Sequence, residues 1–178
     1  VYKRQGMVRF EDVYAKAGQS DLFNDLEEGK ISRAVFVERI KNLSRHDMTS
    51  SQIFNAWNGM LLGFMPDALV CLKRLRSTYR IFLLSNTNEI HIQEIEKRVG
   101  TAFFSDFCSL FEKVYLSHEL GLRKPHTDVF NHILKEKGLK ANETLFIDDS
   151  IHHVEGAIKA GLQAHHLTDE QTIDQLFP

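Results

Sequence analysis

Two adjacent carboxylates, Asp148 and Asp149, end the apolar run Leu145-Phe146-Ile147. Neighbouring carboxylates repel, so the pair is costly unless a cation or a shared proton offsets its charge. Mg²⁺ is the natural cation: hard, oxygen-seeking, and commonly held by one or two carboxylates plus waters and phosphate oxygens. A plainer reading is that the doublet breaks the strand and caps the next helix, a place Asp fills well. Two other stretches tip the balance toward chemistry. Lys124 stands in Gly121-Leu122-Arg123-Lys124-Pro125, where proline's fixed φ stiffens the turn and the ammonium group can neutralise a transferring phosphoryl group. Ser85 and Asn86 follow the apolar run Ile81-Phe82-Leu83-Leu84, and a small hydroxyl beside backbone N–H groups suits a phosphate oxygen. Together these are most of a phosphoryl-transfer site.

The elements that must hold these groups alternate between strand and helix from residue 66 onward. Pro66 is well placed in a first turn and opens a helix with Leu69, Leu72 and Leu75 inward. Tyr79 to Leu84 reads as a buried strand, followed by a helix carrying Ile92, Ile95 and Val99. Lys113 to Leu116 is a short strand and Thr127 to Lys137 a helix. Leu145 to Ile147 is a buried strand. The helix after it places Ile151, Val154, Ala157 and Ile158 on one face and closes at Gly161. Ala164 to Leu167 is a weak last strand and Gln171 to Phe177 a terminal helix. Such alternation predicts an α/β fold with a parallel sheet, and carboxylates at the carboxyl end of a parallel strand sit where these folds place their chemistry.

Residues 7–65 have helical periodicity throughout. Met7 to Ala17 and Asp21 to Glu28 are amphipathic segments stopped by Gly18 and Gly29. Ser32 caps a third, with Val35, Phe36, Ile40 and Leu43 as its apolar stripe. Thr49 and Gln52 have capping-box spacing and open a fourth, with Ile53, Phe54 and Trp57 on one side. A small helical bundle follows, and its aromatic stripe reads as core. The predicted domains are 1–65 and 66–178.

At 178 residues the chain can hold one sizeable core and a small accessory bundle. A net charge of −2 without a basic run argues against nucleic acid as a partner. No apolar run reaches membrane-spanning length and no signal-peptide pattern opens the chain. Cys71 and Cys108 stand alone in apolar surroundings, which fits buried thiols in a reducing, cytoplasmic setting. His152-His153 and His165-His166 lack zinc-ligand spacing. The opening Val1-Tyr2-Lys3-Arg4-Gln5 reads as translated adapter sequence, non-native to the protein, and the chain is expected to be truncated upstream.

Ser85-Asn86-Thr87-Asn88, then Gly121-Leu122-Arg123-Lys124-Pro125, then Leu145-Phe146-Ile147-Asp148-Asp149-Ser150 resemble motifs II, III and IV of the haloacid dehalogenase (HAD) superfamily of hydrolases, in that order. Leu26-Glu27-Glu28-Gly29-Lys30-Ile31-Ser32 and Ala56-Trp57-Asn58 are similar to the small helical cap of its sugar-phosphate phosphatase subgroup. The resemblance implies a Rossmann-like core with a helical cap. It implies Ser85 and Asn86 at the phosphoryl group, Lys124 neutralising charge, and Asp148 and Asp149 holding Mg²⁺. The implied reaction is hydrolysis of small phosphomonoesters through an aspartyl-phosphate, with a small phosphorylated metabolite as the implied partner. The family's nucleophilic Asp ends a central first strand, between those carrying Ser85 and Asp148. No such strand is legible here, so the fragment is expected to be inactive. A 2-haloacid dehalogenase-type hydrolase and a non-catalytic HAD-fold binding protein are the alternatives; the carboxylate pair favours a phosphatase.

Overall fold

The computed structural model describes residues 21–44, 47–168 and 170–177. The segment Met7–Ala17 and the opening five residues lie outside them. The chain divides into two compact units. One takes in residues up to Gly63 together with Leu83–Ser109 and Val114–Gly121. The other comprises Phe64–Phe82, Leu110–Lys113 and the residues from Leu122 onward.

The first unit is built on three short helices, α1 (Leu22–Glu27), α2 (Arg33–Leu43) and α3 (Ser50–Trp57). Their starts follow from local chemistry. Ser32 Oγ accepts from Val35 N, and Thr49 and Gln52 form the expected reciprocal capping box. Gly29 has φ +66°, and a Cβ there would overlap the backbone carbonyl oxygen of His118. Only glycine meets both conditions without strain. Leu22, Leu26, Phe36, Val37, Ile40, Ile53 and Trp57 form one buried cluster with Ile90. Ile90 lies on α5 (Glu89–Val99), which follows strand β1 (Phe82–Ser85). Helix α6 (Thr101–Cys108) and the short α7 (Ser117–Leu120) were not legible in the sequence. Gly100, at φ +85°, ends α5 and starts α6, and no side chain caps the new helix, so the usual start signal is missing.

The second unit begins with α4 (Pro66–Leu75), proline in its first turn as expected. Helix α8 (Thr127–Lys137) packs on strand β3 (Leu145–Asp148), with Phe130 edge-on to Phe146 at 5.1 Å. Helix α9 (Ile151–Lys159) leads into strand β4 (Gln163–His166). Strands β3 and β4 are parallel, with Leu145 opposite Gln163 and Asp148 opposite His166. Strand β1 pairs with β2 (Lys113–Leu116) in a separate two-stranded ladder. The strand expected between those carrying Ser85 and Asp148 is not among the described residues.

Three expectations need correction. The strands are half-buried rather than buried, and Leu145 is 48% exposed. Each ladder has only two strands among the described residues, so each strand keeps an open edge. On α9, Val154, Gly156 and Ala157 are buried but Ile151 and Ile158 are exposed. The buried arc of this helix runs from Val154 through Ala157 to Gly156, and at about 100° per residue Ile158 and Ile151 fall about 100–120° round from Ala157, on its flank. The predicted terminal helix is a single 3₁₀ turn, Ile173–Leu176. So short a segment gains too few hydrogen bonds to offset helix nucleation.

Candidate active site

Asp148 is held by three donors. Lys124 Nζ lies 2.6 Å from its Oδ2, and both side chains are less than a tenth exposed. The Ser150 N–H donates to Oδ1 at 2.9 Å, an Asx turn closing the strand. His153 Nδ1 lies 2.8 Å from the same oxygen. A carboxylate only accepts, so Nδ1 carries the proton in this contact. Burial works against the Asp148 charge. The hydrogen bond and charge of Lys124, with Ser150 N–H and His153, outweigh it and hold the carboxyl below its usual value of 3.8. Lys124 Nζ also lies 5.6 Å from the centre of the Phe146 ring, a further electrostatic attraction.

Lys124 reaches this position because α9 comes close to its loop. A Cβ on Gly156 would overlap the Pro125 carbonyl oxygen, so glycine lets the first turns of α9 lie against Lys124-Pro125. The Lys124–Pro125 peptide is cis.

Asp149 differs from its neighbour. Its carboxylate is exposed and makes no hydrogen bond or ion pair among the described residues, while its backbone carbonyl accepts from His166 Nε2 at 2.9 Å. An ionised carboxylate has about four acceptor positions. Three of those on Asp148 are taken, which leaves one there and all of those on Asp149. No group of three or more His, Cys, Asp or Glu able to hold a metal occurs among the described residues. Two hard carboxylates without a complete protein cage match Mg²⁺, which keeps several waters.

Ser85 and Asn86 lie in the first unit, at the end of β1 and half-buried. The loop they begin is fixed at its other end. Thr87 N–H donates to Ser117 Oγ at 2.9 Å, and Ser117 Oγ donates to the Thr87 carbonyl at 3.0 Å. Asn88 Oδ1 caps α5 by accepting from His91 N at 3.1 Å. The structure thus brings together Lys124, Asp148 and the adjoining Asp149 in one unit, and places Ser85 and Asn86 in the other.

His153 is a residue of the site to which sequence reasoning gave no catalytic or metal role. Its one signal was spacing: five positions after Asp148, it lies in the first turn of α9. Its neighbour His152 points to solvent, 3.7 Å from Glu155. His118 is half-buried, and its Nδ1 has no hydrogen-bond partner among the described residues.

The family model for haloacid dehalogenase-like hydrolases matches residues 14–161. D-ribitol-5-phosphate phosphatase of Bacteroides thetaiotaomicron is 32% identical over 137 residues, 75% of this chain and 65% of that protein. The chain therefore spans just under two thirds of the length of this curated relative. The crystal structure of a HAD family enzyme from the same organism, in complex with magnesium and inorganic phosphate, superposes with a TM-score of 0.82 at 27% identity. It covers 100% of this chain and 92% of that one. L-2-haloacid dehalogenase of Xanthobacter autotrophicus, at 19% identity and a TM-score of 0.62 over 98% of this chain and 70% of that one, shares the fold. With its carboxylate doublet, its lysine loop and its α/β architecture, the chain belongs to the haloacid dehalogenase-like hydrolase family.

Proposed function

We propose that the protein is a Mg²⁺-dependent phosphatase of small phosphomonoesters. The observation that carries this reading is the Lys124–Asp148 pair beside Asp149, whose exposed carboxylate has no partner among the described residues. A lysine held in place by a carboxylate keeps its charge and position for a phosphoryl oxygen. Asp148 and Asp149 would hold Mg²⁺, which when bound would neutralise charge on the phosphoryl oxygens. Ser85 and Asn86 would donate hydrogen bonds to those oxygens. Hydrolysis would run through an aspartyl-phosphate: a carboxylate oxygen bonds to phosphorus as the ester oxygen leaves with a proton, and water then releases phosphate. The attacking carboxylate is not assigned to a residue of this chain. Residues 1–65 would act as the cap that selects the leaving group and residues 66–178 as the core. The relative active on D-ribitol-5-phosphate makes sugar and polyol phosphates the first substrates to try.

The test is phosphate release from a panel of sugar and polyol phosphates by the full-length protein. Turnover should need Mg²⁺, stop with EDTA, and disappear in Lys124→Ala. Turnover that EDTA leaves intact, or none on any ester with Mg²⁺ present, overturns the proposal.

A further inference from the structure

The loop that begins with Ser85 and Asn86 is gripped from the end of helix α3. Trp57, the chain's single tryptophan, is 3% exposed, and its indole N–H donates to Asn88 Oδ1 at 3.4 Å. The His91 ring stacks on Trp57 at 5.0 Å. Phe23 stacks at 4.9 Å and Phe36 lies tilted at 5.1 Å, so the indole has little freedom to turn. Arg98, further along α5, donates to the carbonyls of Asn58 and Leu61 at 3.0 Å each. The end of α3 is therefore tied to both ends of α5.

Asn88 is itself informative. It is 1% exposed, and its Nδ2 has no hydrogen-bond partner among the described residues. A buried, unpaired amide N–H is costly, and an apolar residue would avoid that cost. What the amide adds is Oδ1, which joins Trp57 Nε1 to the N-terminus of α5 through the His91 N–H. The residue before it, Thr87, is clamped on both backbone groups by Ser117, which is fully buried. Two buried polar contacts from different elements thus fix consecutive residues of one loop.

We propose that Trp57 is a positioning residue for the Ser85–Asn88 loop: through Asn88 it sets the backbone on which Ser85 and Asn86 meet a phosphoryl group. This rests on the phosphatase reading for Ser85 and Asn86. It makes phosphate affinity depend on a residue of the helical segment that touches no phosphate.

Amide hydrogen exchange on the full chain tests the positioning without any ligand. Trp57→Phe keeps an aromatic ring in the stack and removes the N–H. Exchange at Thr87, whose own partner is Ser117, should rise about tenfold, the loss expected for one buried hydrogen bond. Ile53→Val, on the same helix and in the same core, should change it clearly less, because it removes a methyl group and no hydrogen bond to the loop. Unchanged exchange at Thr87 in Trp57→Phe, or an equal rise in both variants, overturns the proposal. If Trp57→Phe does not fold, Asn88→Ala, which leaves the aromatic stack in place, is judged at Thr87 by the same criterion. Calorimetric titration of inorganic phosphate with Mg²⁺ is the second arm. Affinity should fall about fivefold or more in Trp57→Phe, and equal affinity overturns the functional part of the proposal. No phosphate binding by the unsubstituted chain overturns the phosphoryl-binding reading of Ser85 and Asn86, and with it that functional part, while the exchange result still decides whether Trp57 holds the loop.

Discussion

Lys124 and Asp148 form a buried ion pair, 2.6 Å from nitrogen to oxygen, with side chains 8% and 9% exposed. Removing one partner of such a pair leaves an uncompensated charge, and that costs about 3–5 kcal/mol. Lys124→Met should therefore lower unfolding free energy by about 3 kcal/mol in urea titrations. In the phosphatase assay on the full-length protein it should also abolish turnover. A variant as stable as the parent would mean that the pair is solvated in solution.

Asp149 should behave in the opposite way. Its carboxylate is exposed and without a partner among the described residues, so Asp149→Asn should change stability by less than about 0.5 kcal/mol. Mg²⁺ affinity, measured by calorimetry, should nevertheless fall about tenfold or more, since a hard cation loses one of its two carboxylates. Unchanged affinity would exclude Asp149 as a ligand.

The donors around Asp148 also set an acid limit on stability. Its carboxyl is held below 3.8 in the folded state, so its contribution is fully present above pH 3.8 and is lost as pH falls through the lower, folded value. Denaturant unfolding across that window should show stability falling with pH. The slope should flatten in Asp148→Asn once the variant's lower baseline is allowed for.

His91 predicts a second, milder window. Burial lowers its pKa below 6.5, opposed by the hydrogen bond to the Trp57 backbone and assisted by the charge of Arg98. The folded state thus favours the neutral ring. Its contribution is present above pH 6.5 and is lost as pH falls through the folded value. Since Trp57 is the only tryptophan, its emission reports the stacked ring directly. A pH titration of fluorescence should show a transition below 6.5 that His91→Gln removes.

Gly29 joins positive φ to close backbone contact. Gly29→Ala should destabilise by about 2–4 kcal/mol, from left-handed strain plus displacement of the His118 backbone. Thermal melting with Gly59→Ala as reference, where a Cβ would meet nothing within 4 Å, checks this.

Much of the fold was legible locally. The capping signals at Ser32 and at Thr49/Gln52, proline at position 66 and the apolar period of Thr127–Lys137 depend on near neighbours, and each element starts where they put it. Asp148, Asp149 and Lys124 stood out in the sequence because adjacent carboxylates repel and because proline fixes the turn after the lysine. Their partners were not legible. That His153 and Lys124 share Asp148, that Gly156 gives Pro125 room, and that Trp57 reaches Asn88 are facts about residues up to 31 positions apart. A hydrogen bond over that span is decided by how the elements pack, and no periodicity within a single element encodes it. The inward-facing isoleucines predicted for α9 failed for the same reason. Helical spacing marks an apolar stripe, but what packs on α9 decides where the buried arc falls, here around Ala157.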